Sequence, residues 1–183
     1  MKSNFKFILF LPFCFSLTSC MDLRTNKEFA SDMIQEFVSC VEAKDKNTLR
    51  GLFSENSLSK VTNFDQQMDD LFNYYKGNKT SYTVEIGSTE DSDGNGGNFK
   101  TIWVSSDITT SEDIFRVAFD VKTVDTLDPK NKGFQFLYII RFADDPRSSV
   151  IEDGEEWCYT YWGDGYNTPG INIGKLFDEN SKK

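Results

Sequence analysis

The groups in this 183-residue chain most suited to chemistry are its cysteine thiols, because there is no histidine to assist any other nucleophile. Without histidine the chain lacks the commonest general base, the commonest zinc ligand and every Ser-His or Cys-His dyad. The cysteines stand at Cys14, Cys20, Cys40 and Cys158. We therefore expect covalent modification or mutual pairing of these thiols, and the sequence around each decides which.

Cys14 lies in a segment typical of an export signal. Lys2 and Lys6 precede the apolar run from Phe7 to Phe15, and small residues follow it. A positive start, a short apolar stretch and small residues before the cleavage point are what the export machinery and its peptidase recognise, and the run is too short to cross a bilayer as a helix. The sequence therefore predicts that residues 1–19 are a signal peptide.

The end of this segment, Leu17-Thr18-Ser19-Cys20, resembles the lipobox of bacterial lipoprotein signals. That resemblance implies that the Cys20 thiol receives a diacylglycerol and that cleavage falls between Ser19 and Cys20. The mature chain is then expected on the extracytoplasmic face of the cell membrane, anchored by lipid. Two alternatives stay open: an ordinary signal peptide with a coincidental cysteine, and an uncleaved anchor.

The acidic charge of the chain limits its partners. Removing residues 1–19 takes away two of the 20 basic residues and none of the 29 acidic ones, so the formal net charge falls from −9 to −11. A surface of this sign repels phosphates, which argues against nucleic acid as a partner and leaves membrane affinity to the acyl chains. The expected partners are the membrane and an unknown small ligand or envelope protein. No cofactor is indicated.

The two remaining cysteines allow two interpretations. Cys40 and Cys158 can form a disulfide in an oxidising envelope. They can also be two buried thiols, one in a helix and one in a strand, and this second interpretation is favoured because a disulfide needs a specific Cα separation that spacing alone does not provide.

Helices are expected in the first half of the chain. Thr25 and Glu28 have the spacing of a capping box, which marks a helix start. Apolar residues then recur every three or four positions. The predicted helices span 28–43, 48–54 and 64–76, and Gly77 is placed as a left-handed cap after the last.

Strands are expected in the second half. Beyond Thr80 the apolar period falls to two, and clusters of Asp, Asn, Gly and Pro separate the runs. We predict strands at 82–86, 99–108, 115–121, 134–142 and 157–162. The predicted organisation is a tether at 20–27, a single α+β domain at 28–177 with its helices packed on an antiparallel sheet, and a frayed tail at 178–183.

This order of elements resembles the nuclear transport factor 2-like superfamily, the cystatin-like α+β cone with a curved antiparallel sheet. The resemblance rests on the helix order, on the break at Ala43-Lys44-Asp45 and on the strands that follow. The segments Ile114–Phe119, Val124–Gly133 and Pro169–Ile171 resemble a family of uncharacterised Gram-positive lipoproteins with a domain of unknown function. That family implies no established activity, and no catalytic residue is carried over.

Aromatic side chains are the candidate lining of a pocket, if the cone has an open mouth. The alternative, which we favour, is that they are ordinary core, since each ring buries a large area. The candidates are Tyr75, Trp103, Tyr138, Trp157, Tyr159 and Tyr161.

The acidic segment from Asp91 to Asn95 opens with the spacing of a calcium loop. The match fails further on, because the twelfth position is Ile102 rather than glutamate. We therefore interpret the segment as a hairpin turn and predict no metal site.

Charged residues on the fourth predicted strand set another expectation. Arg116, Asp120 and Lys122 alternate with apolar residues, so we expect them solvated on the outer face of the sheet. The segment Phe134–Phe142 is apolar in both parities, so its outer face should be covered, either by Pro169–Phe177 or by a second subunit in a homodimer.

Two functions of different class follow. The favoured one is a non-enzymatic lipoprotein that binds a small molecule, a cell-wall fragment or a protein. The alternative is a cavity enzyme, an isomerase, dehydratase or hydrolase, with a buried carboxylate as base and a tyrosine as donor. A carboxylate hydrogen-bonded to a tyrosine inside the cavity would favour the enzyme, whereas an interior filled by Phe and Ile would argue against it.

Overall fold

The computed structural model describes residues 24–61, 63–94, 97–145 and 171–173. The signal peptide, the cleavage site at Ser19, the lipidation site at Cys20 and most of the tether lie outside these residues. So do Cys158, the strand expected at 157–162 with its three aromatic candidates, and the tail at 178–183.

The first helix begins where its capping box predicts. Thr25 and Glu28 exchange hydrogen bonds, with Thr25 N donating to Glu28 Oε2 at 2.8 Å and Glu28 N donating to Thr25 Oγ1 at 3.2 Å. Helix α1 spans Asn26–Ala43 and ends at Lys44, which has the left-handed φ of 54°. Asp45 then caps the next helix by accepting from two backbone amides.

The helix predicted at 48–54 corresponds to α2, and a further short helix that the sequence did not indicate follows it. Helix α2 spans Lys46–Leu52, and helix α3 spans Glu55–Lys60 after a break at Phe53 and Ser54. Ser54, expected near the end of one helix, is instead the N-cap of the next, because its hydroxyl accepts from Ser57 N at 3.0 Å. Helix α4 spans Phe64–Tyr74 and stops before Gly77, which does adopt a positive φ.

Strands make up most of the remaining described chain. Bulges interrupt several of the ladders and bend the sheet. Single turns of 3₁₀ helix follow the fourth and fifth strands at Pro129–Asn131 and Phe142–Asp144. The strands are β1 Lys79–Tyr82, β2 Glu85–Gly94, β3 Gly97–Thr110, β4 Ile114–Asp125, β5 Gly133–Arg141 and β6 Ile171–Ile173.

The described strands form one antiparallel sheet in the order β1-β3-β4-β5-β6, with β2 also paired to β3. Strands β1 and β2 share one edge of β3, since β1 pairs with its end at 108–110 and β2 with its first part at 97–105. The helices lie on one face, called here the inner face. The predicted α+β class, with helices followed by a curved antiparallel sheet, is confirmed.

The core fills the space between the helices and the inner face. Fully buried side chains from α1, α2, α4 and the strands meet there, and the Phe119 and Phe134 rings lie 4.5 Å apart. The largest of these side chains are Phe37, Phe115, Phe119, Phe134, Ile34, Leu49, Met68, Leu71, Ile102 and Ile108. Among the described helices, none combines the length and apolarity needed to cross a bilayer.

The break between α2 and α3 is fixed to the start of β5. Ser54 N donates to Phe134 O at 3.0 Å, and Phe53 forms a parallel bridge with Phe134. The two backbone segments can come this close because residue 133 is glycine. Its φ is +117°, and a Cβ there would lie 2.8 Å from Leu52 O. This junction sets the position of the two helices relative to the loop before β5.

Candidate functional site

Tyr75 does not line an open mouth. It is 6% exposed, and its ring stacks on Phe115 with centroids 4.9 Å apart. Burial, with a smaller contribution from the Glu42 charge, raises the pKa of its phenol. Its hydroxyl makes no hydrogen bond within the described structure. The carboxylate–tyrosine pair expected of a cavity enzyme is thus not formed at Tyr75, and the inner face is packed with apolar side chains.

Replacing Tyr75 with phenylalanine is expected to leave the free energy of unfolding unchanged or to raise it by up to about 1 kcal/mol, because the buried hydroxyl that is removed has no partner. The matched control is Tyr74→Phe. The Tyr74 hydroxyl accepts from Arg141 N at 2.9 Å, so its loss should cost about 1 kcal/mol. Urea unfolding measures the stability of both variants. If Tyr75→Phe lost more stability than Tyr74→Phe, the Tyr75 hydroxyl could not be the one without a partner.

Trp103 and Tyr138 lie together on the opposite side of the sheet. With Phe136 and Ile140 they form a second apolar cluster, called here the outer cluster. The rings of Trp103 and Phe136 are 5.6 Å apart. The structure therefore brings two of the predicted lining residues together but separates them from Tyr75 by the thickness of the sheet.

The outer cluster is not open to solvent. Tyr138 is 2% exposed and Ile140 is fully buried within a single chain. Strand β5 is thus buried on both faces, as its apolar pattern predicts. Of the segment Pro169–Phe177 that is expected to cover it, the described residues Ile171–Ile173 pair along the edge of β5, with Ile173 opposite Leu137 and buried in the inner core.

Arg116 is buried rather than solvated, which corrects the expectation for this residue. Its guanidinium holds Asp107 through two hydrogen bonds of 2.7 and 2.9 Å, and it donates to Asp145 Oδ2 at 3.1 Å. The Arg116 guanidinium carbon lies over the Phe142 ring, 4.7 Å from the ring centroid. Burial opposes the charged form, but the two carboxylates outweigh it and raise the pKa of Arg116. The group acts as a structural ion cluster.

Asp120 is also partly buried on the outer face, where Trp103 and Phe136 are its cross-strand neighbours. Burial, and then the charge of Glu90, raise the pKa of its carboxyl to about 6. Lys122, the third residue of the set, donates to Asp125 at 3.2 Å and lies over the Phe99 ring. The outer face thus carries charge that is largely withdrawn from water.

Asp120→Asn is expected to make the protein more stable at neutral pH. A carboxyl with a pKa near 6 in the folded state and 3.8 as its ordinary value binds its proton more tightly when folded, so stability falls as pH rises from about 4 to about 6 and the full penalty applies above that. The asparagine variant should lack this fall and gain about 1 to 3 kcal/mol at pH 7.

Urea unfolding from pH 4 to pH 8 measures the effect of that substitution. The exposed Asp93 provides the control, because Asp93→Asn should keep the wild-type pH profile. A wild-type stability that rises between pH 4 and pH 6, with no difference between the two variants, would contradict the role of Asp120.

The acidic segment at 91–94 is part of a hairpin. Strands β2 and β3 pair down to Gly94 opposite Gly97, with Asp91 opposite Lys100 and Asp93 opposite Asn98. Residues 91–94 therefore belong to the last part of strand β2 rather than to the turn, and Asn95 lies outside the described residues. Among the described residues no group of three His, Cys, Asp or Glu side chains is placed to hold a metal ion.

Cys40 is a buried free thiol on α1. Burial, followed by the charges of Glu36 and Asp45, raises the pKa of this thiol to about 11. It is therefore protonated and unreactive at neutral pH. Its suggested partner, Cys158, lies outside the described part of the chain.

The described structure contains an open groove that the sequence did not indicate. It lies between α2, α3 and the loop that precedes β5, and its volume is about 410 Å³. Side chains with cationic, amide, acidic and apolar groups surround it. The groove is lined by Asn47, Arg50, Gly51, Phe53, Glu55, Leu58, Pro129, Lys130 and Lys132.

Hydrogen bonds fix the loop side of the groove. Asn56 Nδ2, on α3, donates to Asp128 Oδ2 at 2.7 Å and to Asn131 Oδ1 at 2.6 Å. Asp125 accepts from the backbone amides of Leu127 and Asp128 and from Asn131 Nδ2. The Asp128 amide and the Asn131 side chain are the main reasons that the pKa of Asp125 lies well below its ordinary value. The loop is therefore held in place before any ligand binds.

The two lysines of the groove make at most a weak ion pair within the described structure, whereas its arginine is firmly held. Lys130 lies 3.6 Å from Glu55, and both side chains are largely exposed. Arg50 pairs with Asp65 and lies 4.8 Å above the Phe64 ring centroid. Lys132 forms no ion pair within the described residues. The sequence of the Asp128–Gly133 segment predicts only a turn. Its proximity to α2 arises from the folding of distant parts of the chain.

Comparison with known proteins places the chain in a family without assigning it an activity. No curated protein matches it. A family model described as a domain of unknown function, DUF5104, matches residues 36–142, which run from the middle of α1 through β5 and include the whole groove. This match covers more than half of the sequence, and the chain therefore belongs to the DUF5104 family.

Proposed function

We propose that this protein is a lipid-anchored binding module on the extracytoplasmic face of the cell membrane, and that its ligand occupies the groove between α2, α3 and the loop before β5. The observation that supports the site is the contrast between a filled interior and an open groove of about 410 Å³. A cavity of this size is in the range that small ligands occupy. No specific observation favours the cavity enzyme.

The anchor belongs to the proposal through the lipobox that ends at Cys20. The capped start of α1 at Asn26 follows closely, and the chain between the two can extend over at most roughly 20 Å. A domain tethered this tightly stays beside the membrane. We also propose membership of the nuclear transport factor 2-like superfamily, which the order of helices and antiparallel strands supports.

A substitution that fills the groove tests the site directly. Gly51 lines the groove, and a Cβ added there has no neighbour within 4 Å, so Gly51→Trp should project an indole into the groove while the fold survives. Gly94 also has no such neighbour but lies at the tip of the β2–β3 hairpin, so Gly94→Trp is the matched control.

The measurement is native mass spectrometry of the full chain, purified in detergent from the membranes of its own host. The wild type and Gly94→Trp are expected to carry the same bound molecule, and Gly51→Trp is expected to lack it. A bound molecule that persists in Gly51→Trp, or a wild type that never carries one, would contradict the proposed site.

A further inference from the structure

We propose that the groove recognises a phosphate ester, with its cations on the phosphate and its apolar wall against the carbon part of the ligand. This inference rests on the proposed function, since it takes the groove as the ligand site and names the chemistry of its ligand.

The groove is lined mainly by cations although the protein is acidic. The chain has a formal net charge of −9, yet the groove is lined by Arg50, Lys130 and Lys132 against the single carboxylate of Glu55. Cations that converge at one site attract an anion even when the protein as a whole repels it, because screening limits the effect of distant charges to within about 8 Å to 10 Å.

The two lysines of the groove are available to a ligand. The Lys130–Glu55 pair is long, at 3.6 Å, and its side chains are 67% and 72% exposed. Exposed pairs of this kind stabilise proteins by less than about 1 kcal/mol, so a phosphate can displace Glu55 at little cost. Lys132 has no ion pair within the described residues to give up.

Arg50 is held differently from the two lysines. Its guanidinium is supported by the Phe64 ring and by Asp65, whose side chain is 72% exposed. A guanidinium placed in this way presents several donors in a fixed plane, which suits the oxygens of a phosphate. The lysines contribute positive charge, and the arginine contributes hydrogen-bond donors in a fixed orientation.

The apolar wall of the groove favours an ester over free phosphate. Phe53, Leu58 and Pro129 form the apolar part of the lining, and inorganic phosphate alone would leave them unused. A groove of about 410 Å³ exceeds what one phosphate needs and accommodates a small carbon backbone as well.

The groove also lies at the end of the sheet where α1 begins. Thr126 N donates to Asn98 O at 2.9 Å, which ties the loop before β5 to the start of β3. Two residues along β3, Lys100 Nζ donates to Asn26 Oδ1 at 2.7 Å. With the anchor at Cys20, the ester can come from the headgroup of a membrane lipid or from a soluble molecule, and both present the same group.

The test uses the lipidated full chain in micelles of a maltoside detergent, which carries no phosphate, and sn-glycerol 3-phosphate as the probe, with glycerol as the uncharged comparison. Calorimetry is expected to show binding of glycerol 3-phosphate and none of glycerol. The double variant Lys130→Gln/Lys132→Gln should weaken binding by at least about tenfold, since two charge-assisted contacts are lost.

Lys76→Gln/Lys79→Gln removes the same charge away from the groove and should bind as the wild type does. Circular dichroism confirms that both double variants are folded. Adding phosphatidylglycerol to the micelles separates the two sources. Competition with the soluble probe supports a lipid headgroup, whereas undiminished binding supports a soluble ester, and each outcome supports the phosphate site.

The phosphate inference and the proposed function can fail separately. If glycerol 3-phosphate does not bind, or binds equally to both double variants, the phosphate inference is overturned. The proposed function survives that result if the wild type still carries a molecule that Gly51→Trp lacks, and it fails as well if no molecule is found.

Discussion

Gly133→Ala is expected to lower the free energy of unfolding by about 3 kcal/mol or more. The backbone at this position has a φ of +117°, which only glycine adopts without strain, and strain of this kind costs about 1 to 3 kcal/mol. The added Cβ would also lie 2.8 Å from Leu52 O and from Ser54 N. Both contacts are with backbone, so no side chain can rotate away to relieve them.

The damage from this alanine should reach the groove. Gly133 lies beside the break between α2 and α3, where Ser54 N is bonded to Phe134 O. Pushing the strand away from this break separates the helix side of the groove from its loop side. Gly133→Ala should therefore weaken ligand binding in molecules that still fold.

Gly51→Ala is the matched control for the stability measurement. Gly51 lies within α2, and a Cβ there meets nothing within 4 Å. Alanine is favoured over glycine in a helix by about 1 kcal/mol, so this variant should be neutral or more stable. Guanidinium unfolding compares the two, and similar losses for both would show that Gly133 has no special role.

Arg116→Met should lower the free energy of unfolding by about 3 to 5 kcal/mol. Methionine fills much of the space of the arginine stem but removes the guanidinium that holds Asp107 and Asp145, and the Asp145 side chain is 1% exposed. Removing one member of a buried ion cluster is the costly case. Asp107 is more exposed, so most of the cost should come from Asp145.

The control for this variant is Arg141→Met. Arg141 pairs with Asp144 close by, but both side chains are well exposed, and surface pairs contribute less than about 1 kcal/mol. Urea unfolding at pH 7 compares the two methionine variants. A small loss for Arg116→Met would mean that the buried cluster is not a stabilising element of the outer face.

Local signals in the sequence predict much of this fold. The Thr25–Glu28 capping box places the start of α1, and the Asp–Gly–Asn turn places the β2–β3 hairpin, because both depend on neighbouring residues alone. Helix α3 was not predicted, because Glu55–Lys60 is too short to show a repeating apolar pattern. Its one buried residue is the polar Ser57.

The outer face shows where alternation misleads. Charges that alternate with apolar residues ordinarily mark a solvated face, and Arg116 fits that pattern in sequence. Its burial is tolerated because Asp107, opposite it on β3, and Asp145, 29 positions away, both accept hydrogen bonds from the guanidinium. Only the apolar character of β5 in both parities indicates a covered outer face, and it does not identify the ions beneath the cover.

The groove could not be predicted because it joins distant parts of the chain. Its walls come from residues 47–58 and 129–132, which the Gly133 junction brings together. The acidic net charge even argued against a site for phosphate, since a sum over the whole chain hides a local cluster of opposite sign. Likewise, parity within a strand does not show that Tyr75 and Trp103 lie on opposite sides of the sheet.

The proposed membrane setting depends on the covalent anchor at residue 20. The direct measurement is the intact mass of the protein extracted from the membranes of its own host, with sequencing of its N-terminal peptide by fragmentation. We expect a chain that begins at Cys20 and carries a diacylglycerol on its thiol. A chain that retains residues 1–19 with an unmodified thiol, or one recovered from the cytosol, would contradict the membrane setting and the binding role proposed within it.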